Sequence, residues 1–172
     1  LSDIKRMPKG ELHVHLNGLA NTAVLRSLLQ ASGNELPSGF DLRHDLTRTI
    51  PASSLAEYLT PWQAFRLVPK SRADLSKIVD SAFFELKSDN VEVVELRNSV
   101  IYISLLNSIT VQEALGWLLQ DIEEYSSRYN IKAGLLLTIT RGEYAPEHLR
   151  ALVNAYKSLG RPPSVIGLDL AG

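Results

Sequence analysis

Four apolar runs punctuate this chain: Glu11–Leu16, Val91–Leu96, Ala133–Ile139 and Val165–Leu170. None alternates cleanly over its full length. Near-continuous apolar runs mark parallel strands covered on both faces. The stretches between them carry apolar residues at helical spacing. Asn21 is an N-cap candidate for a helix through Leu25, Leu28 and Leu29, ended by Gly33. Ser54 and Glu57 form a capping-box pattern ahead of Leu55, Tyr58, Leu59 and Trp62, and Pro61 makes that helix short or bent. After Ser71, the residues Leu75, Ile78, Val79, Ala82, Phe83 and Leu86 mark one face of a longer helix. Thr110 and Glu113 open another, through Leu115, Leu118, Leu119, Ile122 and Tyr125. A last helix begins near Pro146, buries Leu149, Leu152, Val153 and Tyr156, and ends at Gly160.

Strands that alternate with helices predict an α/β fold whose parallel strands are joined by crossovers. The first connection, Gly18 to Asn90, is by far the longest. It has room for about three helices and is a candidate lid over the strand ends. A complete (β/α)₈ barrel needs about 250 residues. The 172 residues here supply only four strand patterns. The expectation is therefore a partial barrel, with a self-contained open sheet or a paired half-barrel dimer as alternatives.

The densest chemistry lies in the first run. His13 and His15 stand two apart, so on a strand both imidazoles project from one face. Imidazole is a common zinc ligand, and a catalytic zinc needs few protein ligands plus an open position. The bland alternative is a pair of ordinary strand histidines. Asn17-Gly18 follows as a turn signal, which sets the pair near the strand's C-terminal end, where parallel α/β folds place their chemistry. His44 and His148 lie in polar surroundings and read as surface residues. Arg97 and Arg141 fall at strand ends, facing a site or pairing with carboxylates.

Composition narrows the choices. With no cysteine, disulfides and thiolate zinc sites are excluded, the cytidine-deaminase type of centre included. A net charge of −1, without long runs of either sign, gives no nucleic-acid or basic membrane surface. No apolar stretch is long enough to span a bilayer, so the expectation is a soluble, cytoplasmic protein.

The segment Pro8-Lys9-Gly10-Glu11-Leu12-His13-Val14-His15-Leu16-Asn17-Gly18 resembles the N-terminal metal motif of the adenosine deaminase family. Gly167-Leu168-Asp169-Leu170-Ala171-Gly172 resembles that family's fourth-strand motif, and Val93-Val94-Glu95-Leu96-Arg97-Asn98-Ser99 its second strand. The matches run in order across nearly the whole chain. The resemblance implies that residues 1–172 are the N-terminal half of a TIM (β/α)₈ barrel, strands one to four, with the C-terminal half absent. That missing half, or a second chain, is then needed to close the barrel.

It further implies one zinc ion per site, held in part by His13 and His15, and hydrolytic deamination of adenosine to inosine by the full-length protein. The family's acid catalyst and remaining zinc ligands lie on later strands, so no catalytic acid is expected before Gly172. His15, Asn17, Leu55, Tyr58, Leu59 and Gly172 match substrate-binding positions. Leu55, Tyr58, Leu59 and Trp62 fit an apolar substrate gate, though at this spacing they also fit plain helix core. Gly172 would offer its backbone N–H to the purine, and Asp169 is a candidate acceptor behind the metal ligands. Asn17 stands where adenosine-specific members carry an aspartate. Members acting on N6-methylated AMP share Leu-Asn-Gly, so an N6-methyl-AMP deaminase is the alternative substrate reading. A non-catalytic purine-binding module is the alternative of another class. A non-purine amidohydrolase substrate is a third, against which Asp169-Leu170-Ala171-Gly172 argues.

Overall fold

The computed structural model describes residues 2–33, 35–47 and 49–171. A short helix α1 (Ser2–Arg6) leads into β1 (Lys9–His15), followed at once by α2 (Leu16–Leu19). The long first connection continues with α3 (Thr22–Ala31), α4 (Leu55–Tyr58), α5 (Thr60–Phe65) and α6 (Arg72–Ser88). Then come β2 (Val91–Asn98), α7 (Val100–Asn107), α8 (Val111–Tyr129), β3 (Lys132–Thr140), α9 (Ala145–Ser158) and β4 (Val165–Ala171). The four strands form one sheet in the order β1-β2-β3-β4, every pair parallel.

Local chemistry explains the boundaries. The Asn21 side chain accepts from the Ala23 N–H and caps α3, and Gly33 turns out of it at φ +63°. Ser54 accepts from the Glu57 N–H, while the Glu57 carboxylate reaches back to the N–H of Ser53 at 2.8 Å. The capping box is thus closed one residue early. Pro61 divides the pattern as expected, giving two short helices, α4 and α5, instead of one. Thr110 caps α8 through the Glu113 N–H at 3.1 Å.

The core lies between the sheet's outer face and the helices. Leu96 pairs with Leu135, so both share that face, and both are fully buried with Phe83, Ile78, Leu115 and Leu118. Helix α6 packs on β2, and α8 and α9 pack on β3. In α9 the buried residues are Leu152 and Ala155, while the expected core residue Leu149 is exposed. Coverage fails at β4, where the expected burial on both faces is not met. Leu168 and Leu170 are 52% and 56% exposed, because no described helix lies beyond α9 to cover them, while a register shift turns Ile166 to the other face, over Gly134. No described helix is long and apolar enough to cross a membrane.

The other face of the sheet is polar. Register puts His15 beside Arg97, and Thr138 beside Asp169. The register of β1 against β2 shifts twice, after Lys9 and again after Glu11, and the second shift sets which residues look this way. Glu11 pairs with Val94 and Val14 with Leu96, three steps on β1 against two on β2. One extra residue on one strand is a β-bulge, and it reverses the facing of everything beyond it.

Candidate functional site

A cleft of about 650 Å³ opens at the C-terminal ends of the strands. His15, Asn98, Thr140 and Ala171, the last residues of β1 to β4, all line it. Its outer wall comes from the first connection, with Tyr58, Leu59, Trp62 and Phe65. This part of the connection does stand over the strand ends. Asn17 ties the wall to the sheet, its Nδ2 donating to the Phe65 carbonyl at 3.4 Å.

The His13 and His15 rings lie with centroids 6.0 Å apart and planes at 56°. His15 is half-buried and meets the Trp62 ring edge-on at 5.7 Å, and Trp62 meets Phe65 likewise at 5.5 Å. Burial holds the His15 pKa below the usual histidine range. The Asp169 carboxylate opposes that shift, while His13 and Arg97 add to it. The ring is therefore neutral at physiological pH, as a metal ligand must be.

Behind the histidines runs a polar network. Arg97 Nη1 donates to the Leu12 carbonyl at 2.8 Å, and Arg97 Nε lies 3.9 Å from Asp169 Oδ1. Thr138 Oγ1 donates to Asp169 Oδ2 at 3.2 Å. The Arg97 and Asp169 side chains are 12% and 19% exposed, so the pair is little screened by water. Two buried polar atoms lack a partner among the described residues: Arg97 Nε and Asn98 Oδ1. Asn98 is the last residue of β2 and borders the cleft, but its register with Leu137 sets its side chain on the helix-covered face. No Asp or Glu lines the cleft among the described residues, whereas Arg66 and Arg97 do.

The model of the adenosine deaminase family matches residues 8–172. The chain belongs to the adenosine deaminase family. An adenosine deaminase of Clostridium botulinum (strain 657 / Type Ba4) is 25% identical over 172 residues, 99% of this chain and 51% of that protein. One from Streptococcus thermophilus is 24% identical over 171 residues, 99% of this chain and 50% of that protein. The chain thus spans about half the length of the curated relatives it matches. Among solved structures, a zinc-bound amidohydrolase from Burkholderia ambifaria superposes with a TM-score of 0.81 at 19% identity, covering 99% of this chain and 46% of that one. An Arabidopsis N6-mAMP deaminase does so with a TM-score of 0.77 at 22% identity, covering 100% and 52%. The fold is the N-terminal half of the TIM barrel of these amidohydrolases.

Within this family frame, the structure gathers some of the expected residues and separates others. His13, His15 and Asp169 share the polar face, and Asn17, Tyr58 and Leu59 stand at the cleft. Asn17 belongs to α2 and not to a turn. Leu55 is 71% exposed and does not line the cleft. Tyr58 and Leu59 are exposed too, so this segment is not the plain helix core that its spacing also allowed. Gly172 lies outside the described residues. No group of three or more His, Cys, Asp or Glu side chains able to hold a metal occurs among the described residues. His44 is exposed with Nδ1 2.7 Å from Asp41, and His148 stacks on Tyr144 at 6.2 Å.

The sequence left Arg97 open between two roles, and the structure adds a third contact, to the β1 backbone. Its facing was legible from β2 parity, but the Leu12 carbonyl becomes available only through the bulge. Tyr102 also lines the cleft, on a helix the apolar pattern did not reveal.

Proposed function

We propose that the whole protein is a zinc-dependent hydrolase that removes the 6-amino group of a purine, with adenosine to inosine as its reaction. The observation that supports this most is the His13–His15 pair, on one face and beside a cleft lined by all four strand ends. The donor set fits zinc as far as it goes. Two imidazoles stand close together, one kept neutral by burial, with a carboxylate on the same face. When bound, zinc supplies the Lewis acidity that makes water a nucleophile near neutral pH.

The chain's own residues do the rest of the binding. Trp62 and Phe65 offer flat apolar walls of the kind a purine ring packs against. Trp62 also fixes the tilt of the His15 ring by its edge contact. Asp169, steadied by Thr138, serves as the acceptor behind the metal ligands. The proton for the purine ring comes from a carboxylic acid outside residues 1–172.

A second reading, a purine nucleotide such as N6-methyl-AMP, is favoured by Asn17. A neutral amide there leaves the cleft wall free of carboxylates, with Arg66 and Arg97 as its charges. Such a wall repels a phosphate less than an acidic one does. Similar Arabidopsis structures are solved with IMP and with GMP. Amine release by the zinc-loaded whole protein decides: ammonia from adenosine or AMP, methylamine from N6-methyl-AMP. Adenosine as the preferred substrate supports the first reading, and N6-methyl-AMP the second. Release from none of them ends both.

A further inference from the structure

The β1 bulge needs support, because its backbone groups fall out of the ladder. Two side chains take them. The Leu12 carbonyl accepts from Arg97 Nη1 at 2.8 Å, and the His13 N–H donates to Glu11 Oε1 at 3.0 Å. The bulge lies between Glu11 and Val14, immediately before His15. Moving it by one residue would turn a histidine toward the opposite face. Arg97 also stands beside His15 in register and within ion-pair range of Asp169, which Thr138 holds from β3. A single guanidinium therefore joins β1, its own strand β2 and the β4 carboxylate under the two imidazoles. A planar fork of N–H groups suits such divergent contacts, and lysine lacks it.

We infer that Arg97 is a positioning residue for the metal pair: it clamps the β1 bulge, so that His13 and His15 present their rings together toward Asp169. This rests on the zinc reading above. It needs no contact between Arg97 and substrate or metal. Glu11 is the lesser half of the same clamp, held by one hydrogen bond within its own strand.

The test is zinc affinity by chelator competition on the whole protein, beside thermal unfolding of the metal-free form. Arg97→Met should weaken zinc binding roughly 10- to 100-fold, the range seen when groups that orient metal ligands are lost. Arg72→Met is the control for stability alone. It breaks the buried ion pair with Asp121 between α6 and α8, remote from β1, and should lower the unfolding temperature with zinc affinity unchanged. Arg97→Met with parental affinity, or equal affinity losses in both variants, overturns the inference. If Arg97→Met does not fold, Glu11→Ala tests the clamp from its other side. A several-fold weaker affinity supports it, and parental affinity overturns it. His13→Ala and His15→Ala in the parent separate the two levels. If neither changes zinc binding, the zinc reading falls and this inference falls with it. If both abolish it while Arg97→Met does not weaken it, only the clamp fails.

Discussion

Gly18 and Trp62 touch: a β-carbon placed on Gly18 would lie 3.3 Å from the indole Cη2. The same indole sets its edge against His15 at 5.7 Å. Close approach, and not an unusual backbone angle, is therefore what glycine provides here. Strand β1, the helix after it and the cleft wall all meet at this ring.

Gly18→Ala sets two effects against each other. Alanine favours the helical conformation of α2 by about 0.5–1 kcal/mol, while crowding a packed ring costs about 1–3 kcal/mol. Trp62 is only half-buried and can tilt, so the cost falls at the low end. The expected net destabilisation is below about 1 kcal/mol, with a displaced indole. Tryptophan emission in a Trp117→Phe background isolates Trp62 and should shift. A raised unfolding temperature with unchanged emission would contradict this.

Asn17→Asp tests the charge of the cleft. It places a carboxylate on a wall that has none among the described residues. A phosphorylated substrate should then bind roughly tenfold more weakly relative to adenosine, about 1.4 kcal/mol. The ratio of kcat/KM values for N6-methyl-AMP and adenosine measures it. A ratio that does not fall would mean that no phosphate comes near Asn17.

The strands were legible because each is an apolar run bounded by polar or turn residues. Helices with caps were legible too, through Asn21, Ser54, Ser71 and Thr110. Helix α7 was not. Its sequence, Val100-Ile101-Tyr102-Ile103-Ser104-Leu105-Leu106-Asn107, is β-branched and apolar almost throughout, and Ser99 makes no side-chain cap. Burial against α8 overrides that weak propensity. Helix α2 was hidden by Asn17-Gly18, a turn pair that here continues directly from the strand. At the site, alternation predicted the shared face of His13 and His15 without further information. The Arg97–Leu12 contact was not foreseeable, because it depends on a bulge that composition does not encode.

His15 makes the metal-free protein sensitive to acid. Burial lowers its pKa below the ordinary histidine value of 6.5, so the unfolded chain takes up a proton more readily than the folded one. The contribution to stability is full above pH 6.5 and is lost as pH falls through the folded value. Denaturant midpoints at pH 7.5 and 5.5 should therefore fall further in the metal-free parent than in His15→Gln. An equal fall in both would show that the ring titrates normally.

Strand β4 carries the last prediction. Leu168 and Leu170 point from the helix-side face of a strand that has a neighbour, β3, on only one side in this sheet. Two neighbouring apolar side chains beside an open parallel edge make a surface that pairs with other chains. The 172-residue chain expressed alone should accordingly self-associate as its concentration rises, which sedimentation velocity reads directly. Leu168→Gln with Leu170→Gln removes this apolar pair but leaves Gly167, Asp169 and the polar face untouched. Because both leucines are half-exposed already, the substitutions should cost the fold less than core truncations of about 2–5 kcal/mol. The double variant should stay monomeric at concentrations where the parent associates. Association undiminished by it would place the contact elsewhere, either on the backbone edge itself or on the open polar face beneath the cleft.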